Sequence, residues 1–217
     1  MTQNNCKLIG ITGGIASGKT TVKNILIDKD YIVIDSDIIA RDVVKINKPA
    51  YQKVIEYFGD DILYDDNTID RKKLSDIVFN DANERKILEG ILYPYIFKEI
   101  LAQIHNKCVN DMDIIFVDIP LLFENIKSIV NSGISFDQIW LVYCDRKTQL
   151  ERLLSRDNIS LENANLRLNA QIDIEEKRKM ADVIIENMTT KDSLIKQIEL
   201  CLAKLEQDKI WNARYLL

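Results

Sequence analysis

A glycine-rich segment near the N-terminus is the part of the sequence whose residue types and spacing most clearly indicate chemistry. Residues 13–20 read Gly-Gly-Ile-Ala-Ser-Gly-Lys-Thr and match the phosphate-loop pattern G-x-x-x-x-G-K-[ST] at every fixed position. In such a loop, backbone N–H groups and the N-terminus of the next helix attract phosphate oxygens. An apolar run precedes the loop and a helical pattern follows it, so the sequence predicts a nucleoside triphosphate site. We expect its contacts to come from Gly13, Gly14, Ile15, Ala16, Ser17, Gly18, Lys19, Thr20 and Thr21.

Two residues of this loop and one distant aspartate have types suited to phosphoryl transfer. Lys19 can reach the β- and γ-phosphates, and the Thr20 hydroxyl can bind Mg²⁺. Asp118 ends an apolar run, where P-loop proteins carry a carboxylate associated with the metal. Its alternative role is to cap the next turn. Because Ile119 follows it where a hydrolytic ATPase usually has glutamate, a motor or pump is disfavoured.

A second pair of carboxylates lies between an apolar run and a helical pattern. Asp35 and Asp37 are separated only by Ser36, so in an extended chain they project to the same side. One could accept a proton from an attacking hydroxyl, while the other holds water around Mg²⁺. The alternative is that one aspartate caps a helix that begins at Ile38.

Arginines are concentrated in the stretch 146–180. Arg152 and Arg156 are four residues apart and share a face if this stretch is helical, and Arg167 and Gln171 have the same spacing on a second predicted helix. Guanidinium groups match phosphoryl oxygens and stabilise the charge of a loose transition state. The pattern favours an arginine-bearing lid over solvated surface residues.

The elements that position these residues follow from five short apolar runs separated by helical patterns. Near-continuous apolar strands that alternate with helices predict a parallel sheet covered on both faces. A longer helical pattern follows Asp81 and Glu84, and we expect Pro94 to interrupt it. The predicted strands are Lys7–Thr12, Tyr31–Asp35, Ile114–Asp118, Ile139–Cys144 and Val183–Ile185.

Composition excludes several classes of function. A net charge of −5 and a pI near 5.1 argue against binding to duplex nucleic acid. No apolar run approaches the roughly 18 residues of a membrane span, and Met1–Cys6 does not resemble a secretory signal. The four cysteines are scattered, which suits reduced thiols in a cytoplasmic protein. The sequence has one histidine, His105, which follows an apolar helical run and is more typical of a surface or core residue than of a catalytic one. The catalytic base is therefore expected to be a carboxylate.

Beyond the phosphate loop, the chain resembles the dephospho-coenzyme A kinases along roughly residues 7–205. Two stretches, Asp35-Ser36-Asp37-Ile38-Ile39-Ala40-Arg41 and Asp118-Ile119-Pro120-Leu121-Leu122-Phe123-Glu124, are more selective for this family than the phosphate loop is. Further similarities lie at Gly10–Thr12, Phe58-Gly59, Ile69-Asp70-Arg71, Leu74, Val78-Phe79, Gln149, Arg152, Arg156, Gln171, Ala181-Asp182 and Asn187.

The resemblance implies a single α/β P-loop kinase domain of three layers with a five-stranded parallel sheet. It implies a core at about 6–36, 113–145 and 181–209, a helical acceptor-binding insertion at about 37–112 and a helical lid at about 146–180. The implied reaction is phosphorylation by ATP and Mg²⁺ of the ribose 3′-hydroxyl of dephospho-coenzyme A, the last step of coenzyme A biosynthesis. No nucleic acid, membrane or obligate protein partner is expected.

The resemblance also assigns roles to individual residues. Asp37 is implied as the base, with Lys19, Arg152 and Arg156 as the other catalytic residues. Asn187 is implied to contact the nucleotide, and Thr20 and Asp118 the metal. The acceptor is expected to contact Asp35, Asp37, Arg41, Arg71, Tyr93 and Leu121.

Two positions depart from the family pattern. Tyr93-Pro94 stands where the family usually has His-Pro, so a hydrogen bond to substrate there would come from the phenol or be absent. Ala16 replaces a common glycine, which is tolerable if its φ is negative.

Two other functions remain open at this level. Another nucleoside or nucleotide kinase would share the core and lid but differ in the insertion. A GTP-dependent switch would need an N-K-x-D sequence after a strand; Asn106-Lys107 lacks the aspartate, and Thr190-Lys191-Asp192 has the wrong spacing.

Replacement of the loop lysine tests the phosphate site directly. Lys19→Ala should fold normally and lower kcat by about 10²–10³-fold, because the charge of Lys19 is most valuable as negative charge develops on the phosphates. Steady-state kinetics and circular dichroism measure the two effects. Retention of more than about a tenth of wild-type kcat would contradict the assignment.

Overall fold

The computed structural model describes residues 6–108 and 114–214. Three sequence predictions lie outside the described residues: the interpretation of residues 1–5, the boundary between insertion and core at 112–113, and the similarity at the side chain of Phe79. The strands are β1 (Lys7–Gly13), β2 (Ile32–Asp35), β3 (Ile114–Asp118), β4 (Gln138–Tyr143) and β5 (Val183–Glu186). The helices are α1 (Lys19–Asp28), α2 (Ser36–Asp42), α3 (Pro49–Phe58), α4 (Arg71–Asn80), α5 (Ala82–Lys107), α6 (Ile126–Asn131), α7 (Arg146–Asp157), α8 (Leu161–Asn169), α9 (Ile174–Met180) and α10 (Lys191–Arg214).

The five strands form one sheet in the order β2-β3-β1-β4-β5, which confirms the predicted sheet. β1 lies in the middle and pairs in parallel with β3, Lys7 opposite Ile114, and with β4, Ile9 opposite Gln138. Because parallel strands end at the same edge, the C-terminal ends of β1 and β3 place the phosphate loop (residues 13–20) and Asp118 at one edge.

The main apolar core lies between the central strands and two helices. Fully buried residues of β1, β3 and β4, among them Phe116 and Trp140, pack with Val22, Ile25 and Leu26 of α1. From α10 the same core receives Leu194, Ile198, Leu202 and Leu205, at the spacing that the sequence predicts for a core-facing helix. The phosphate loop therefore follows a buried strand and leads into a helix whose inner face is part of the main core.

The described residues form two compact units. The first comprises those of 1–34, 107–126 and 135–217, and the second comprises 35–106 and 127–134. The second unit is helical and has its own core, in which Tyr51 and Val54 of α3 contact Leu74 of α4. Our division into core, insertion and lid is a different partition and stays a prediction.

Helix α5 continues through Pro94, so the predicted interruption is wrong. An interior proline removes one helical hydrogen bond and typically costs about 3 kcal/mol. Packing on both sides of the proline offsets this cost. Leu88, Ile91 and Leu92 contact the core of the second unit, while Ile96, Phe97, Ile100 and Ile104 are buried beyond it.

Two of the four cysteines form a disulfide, contrary to the expectation of reduced thiols. Cys6 precedes β1 and Cys108 follows α5. Their Cα atoms lie 5.8 Å apart, a separation usual for a disulfide. Cys144 and Cys201 are free thiols.

Within the described residues, none of the helices combines the length and apolarity that a membrane span requires.

Two glycines with open space around them predict opposite stability changes. A Cβ added at Gly90, inside α5, or at Gly59, after α3, would have no heavy atom within 4 Å. Gly90→Ala should raise the free energy of unfolding by about 0.5–1 kcal/mol, because alanine favours the helix. Gly59→Ala should lower it by about 1 kcal/mol or more, because φ there is +78°. Urea unfolding measures both, and shifts of the same sign would contradict the backbone described.

Candidate active site

The phosphate loop reverses direction through two left-handed residues. Gly18 has φ +90° and Ala16 has φ +58°, so the condition of a negative φ, under which alanine is tolerable at position 16, is not met. A left-handed conformation costs an alanine roughly 1–2 kcal/mol, whereas glycine adopts it freely. The loop thus retains the turn that a glycine at position 16 would make, with strain at this position.

Side chains from outside the loop hydrogen-bond to its carbonyl groups. The Gln149 amide of α7 donates to the carbonyl of Ile15 at 2.9 Å. The carbonyl of Ser17 accepts from the Asn187 amide at 2.8 Å and from the Arg152 guanidinium at 3.4 Å. A second arm of Arg152 donates to the Asn187 carbonyl at 2.8 Å. These donors fix the direction in which the loop peptides face.

The same donors explain why residues 14 and 18 lack side chains. A Cβ at Gly14 would overlap the amide of Gln149, and a Cβ at Gly18 would overlap the amide of Asn187. Either overlap would displace a donor from the loop carbonyls. Gly14, at a variable position of the pattern, and Gly18, at a fixed one, therefore both leave room for the donors of the loop carbonyls.

Two loop N–H groups bind protein acceptors. The N–H of Ile15 donates to Oε1 of Gln171 at 2.9 Å, and that of Ser17 donates to the Gly14 carbonyl at 3.1 Å. We expected the whole loop to face a triphosphate, and the structure directs these two donors into the protein. Thr20 is exposed and Thr21 half-buried in the first turn of α1.

Lys19 and Asp118 form a close ion pair. The ammonium group contacts Oδ1 of Asp118, whose side chain is only 2% exposed, while Lys23 Nζ lies 3.8 Å from Oδ2. Two cations thus converge on one buried carboxylate beside the phosphate loop. In this arrangement Asp118 orients Lys19, as well as standing where a metal-associated carboxylate is expected.

The arginines predicted to belong to a lid have different surroundings. Arg152 is directed at the phosphate loop, as described above. Arg156 instead pairs with the adjacent Asp157 at 2.7 Å, and Arg167 of α8 reaches the same carboxylate at 2.6 Å. The predicted helix ends at Asp157, with Asn158 left-handed after it, but Gln171 lies beyond the end of α8 rather than on it.

Asp35 and Asp37 have distinct positions in the second unit. Asp35 ends β2, and its Oδ1 accepts the N–H groups of Asp37 and Ile38 at 2.9 and 3.1 Å. It thereby caps α2, which begins at Ser36, so the expectation that both aspartates lie in extended chain is wrong. Asp37 is exposed in the first helical turn.

One cavity of the second unit contains three of the predicted acceptor contacts. Its volume is about 450 Å³, and Asp37, Arg41 and Arg71 line it together with apolar side chains. Arg71 also donates to the carbonyl of Arg41 at 3.2 Å, so the two arginines are held side by side. We call this space the acceptor cavity.

The other predicted acceptor contacts lie elsewhere. Tyr93 lines a separate cavity of about 580 Å³ in the second unit, where its ring contacts that of Phe97. Leu121, in the first unit, lies in the turn after β3, where its carbonyl accepts two hydrogen bonds from Asn125. Their roles toward substrate stay predictions.

The sequence predicts roles for Arg152 and Asn187, but not their hydrogen bonds to the loop carbonyls. Gln149 is indicated only as a similarity to a family, and Gln171 by such a similarity and by its spacing from Arg167. A glutamine that binds backbone has no characteristic spacing, so its position could not be inferred without the path of α7 and α8.

In the described part of the chain, no group of three or more His, Cys, Asp or Glu side chains is placed to hold a metal ion.

Comparisons with known proteins agree on one family. Residues 7–192 match the family model described as dephospho-CoA kinase. A dephospho-CoA kinase of Carboxydothermus hydrogenoformans is 44% identical over 208 residues, covering 95% of this chain and 98% of the relative.

Solved structures give the same result for the fold. A dephospho-CoA kinase from Campylobacter jejuni superposes with a TM-score of 0.69 and 32% identity, covering 94% of this chain and 99% of that one. A shikimate kinase from Acinetobacter baumannii, at 15% identity and a TM-score of 0.51 over 92% of this chain and 94% of its own, shares the fold.

The charged residues at the ends of α7 predict acid sensitivity. Hydrogen bonding from Arg156, with the nearby charge of Arg167, lowers the pKa of Asp157. A carboxylate whose pKa is lowered by folding stabilises the native state above its unfolded pKa of about 3.9, and this contribution is lost as pH falls through the folded value. Asp157→Asn should therefore be less stable than wild type at pH 7, and the difference should shrink by pH 3. Urea unfolding at both pH values tests this, with the exposed Asp65→Asn as control.

Proposed function

The chain belongs to the dephospho-CoA kinase family, and on this premise we propose that it transfers the γ-phosphoryl group of ATP to the ribose 3′-hydroxyl of dephospho-coenzyme A. The product is coenzyme A, so the reaction is the last step of coenzyme A biosynthesis. The observation that carries the proposal is the phosphate loop with Lys19 held by Asp118, in a chain that matches this kinase family over residues 7–192.

ATP is proposed to place its phosphates at the N-terminus of α1. Here the helix dipole and the N–H groups of Gly18, Lys19 and Thr20 favour an anion. Lys19 supplies a cation toward the β- and γ-phosphates. Arg152 and Arg156 are proposed to stabilise the transferring group, since both lie on the helix that Gln149 ties to the loop.

The residues fit Mg²⁺ in the manner of kinases. Magnesium prefers oxygen ligands and usually retains several waters while it binds one or two protein groups and the phosphates. The exposed hydroxyl of Thr20 and the carboxylate of Asp118 would supply such oxygens, and the metal would neutralise charge on the phosphates. No dedicated cage of carboxylates is needed for this role.

The acceptor is proposed to occupy the acceptor cavity. Arg41 and Arg71 provide paired positive charge for the pyrophosphate of dephospho-coenzyme A, and Leu74, Val78 and Leu88 provide apolar surface for its uncharged arm. Asp35 and Tyr93 remain further candidates from the second unit, as Leu121 does from the first.

Asp37 is proposed to act as the general base. Asp35 already accepts two N–H bonds at its Oδ1, which suits a cap better than a base. Asp37 takes the proton of the 3′-hydroxyl as that oxygen attacks the γ-phosphorus, and ADP leaves with the electrons of the broken P–O bond.

We also propose that the protein is cytoplasmic and acts without a nucleic-acid or obligate protein partner.

Substrate choice tests the reaction itself. ADP formation should be fastest with dephospho-coenzyme A in a panel that also contains nucleosides, nucleotides and sugars, and mass spectrometry should identify coenzyme A as product. A higher kcat/KM for a nucleoside or nucleotide would favour the alternative kinase class. No activity with any acceptor, despite ATP binding, would also overturn the proposal.

The two aspartates test the mechanism. Asp37→Asn should lower kcat by about 10²–10⁴-fold while ATP still binds, because the amide cannot accept the proton. Asp35→Asn should be mild, because asparagine caps helices as well as aspartate does. Kinetics at saturating ATP compare the pair. A crippled Asp35→Asn beside a healthy Asp37→Asn would reverse the assignment, and normal activity in both would place the base elsewhere.

A further inference from the structure

A lysine in the first unit is completely buried outside the phosphate site. Lys177, on α9, has no exposed surface, and its Nζ lies 2.6 Å from Oε1 of Glu124. The second carboxylate oxygen of Glu124 is also buried and makes no hydrogen bond within the described residues. Because a buried ion pair is often no more stable than an apolar pair of similar volume, stability alone does not account for it.

The same carboxylate holds a backbone segment in place. Oε1 of Glu124 accepts the N–H of Ile172 at 3.1 Å, in addition to its contact with Lys177. Ile172 lies where the chain returns from α8 and before α9 begins at Ile174. The ion pair therefore fixes the end of the α7–α8 segment.

This fixed segment carries the side chain that binds the phosphate loop from behind. Gln171 precedes Ile172 and accepts the N–H of Ile15, while Gln149 donates to the Ile15 carbonyl, both at 2.9 Å. The side chains of Ile15 and Ala16 also pack against the apolar contacts between α7 and α8. The backbone N–H and carbonyl of Ile15 are thus hydrogen-bonded to side chains near the two ends of the α7–α8 segment.

We propose that Glu124 and Lys177 are positioning residues for the ATP site, acting through Ile172 and Gln171 on the Ile15 peptide. Lys177 holds the carboxylate of Glu124 in place, Glu124 fixes the Ile172 N–H, and the fixed backbone directs Gln171 at the loop. Loss of this chain of contacts should loosen the loop and weaken ATP binding, while dephospho-coenzyme A binding is spared. The inference relies on the proposed function only for the identity of the donor, ATP.

Paired substitutions separate positioning from stability. Glu124→Leu with Lys177→Met removes both charges and the acceptor of Ile172, and it should fold because the replacement is apolar and of similar volume. Its Kd for ATP with Mg²⁺ should rise about tenfold, and Gln171→Ala should have a similar effect. Glu124→Gln with Lys177→Met keeps an acceptor oxygen and should recover most of the loss. Arg178→Met with Glu186→Gln, which removes an exposed ion pair between α9 and β5, is the matched control.

Calorimetry with ATP and with dephospho-coenzyme A gives the decisive comparison. A combined variant carries Gln171→Ala together with the leucine–methionine pair. If its loss of ATP affinity is smaller than the sum of the two separate losses, the substitutions act on one chain of contacts. Unchanged ATP affinity, equal weakening for both ligands, or full additivity would overturn the proposal. Wild-type protein that does not bind ATP would instead refute the proposed function.

Amide hydrogen exchange provides a readout if the leucine–methionine variant does not fold. Glu124→Gln with Lys177→Met keeps the acceptor but makes it neutral, so the weaker bond should speed exchange at Ile172 modestly and, through Gln171, at Ile15 to a smaller extent. Faster exchange at Ile172 with no change at Ile15 would show that the two are not coupled and would overturn the proposal.

Discussion

The carbonyl groups of a phosphate loop point away from its anion-binding N–H groups and need hydrogen-bond donors of their own. Here that requirement is met by side chains distant in sequence: Gln149 for Ile15, and Asn187 and Arg152 for Ser17. Their approach requires glycine at positions 14 and 18. Helix α7 carries Gln149 and Arg152, and strand β5 leads to Asn187. Both elements therefore support the loop.

Charge around the loop is balanced in a similar way. Asp118 is buried at the end of β3, where its carboxylate meets the ammonium groups of Lys19 and Lys23. Because the side chains of Lys19 and Lys23 are largely buried, their charge would be costly without a counter-ion. Asp118 thus fixes the position of the Lys19 ammonium group beside the phosphate loop.

The sheet could be predicted because each strand is a short, nearly continuous apolar run that a buried parallel strand requires. The phosphate loop could be predicted because its backbone conformation restricts residue types. Features that depend on tertiary neighbours were missed or misjudged. Pro94 is accommodated by packing on both sides of it, the cap at Asp35 depends on where β2 stops, and Ala16 is held left-handed by its surroundings. The supporting glutamines bind backbone, which leaves no pattern in sequence.

The disulfide between Cys6 and Cys108 changes the covalent topology of the chain. It closes a ring whose two half-cystines are 102 positions apart, and residues 35–106 of the second unit all belong to this ring. The exposed turn at Tyr64–Thr68 lies within it, closed by a bond from the Tyr64 N–H to the Thr68 carbonyl. Hydrolysis of one peptide bond in this turn would open the ring but leave a single molecule, whereas in the reduced protein the same cut yields two polypeptides.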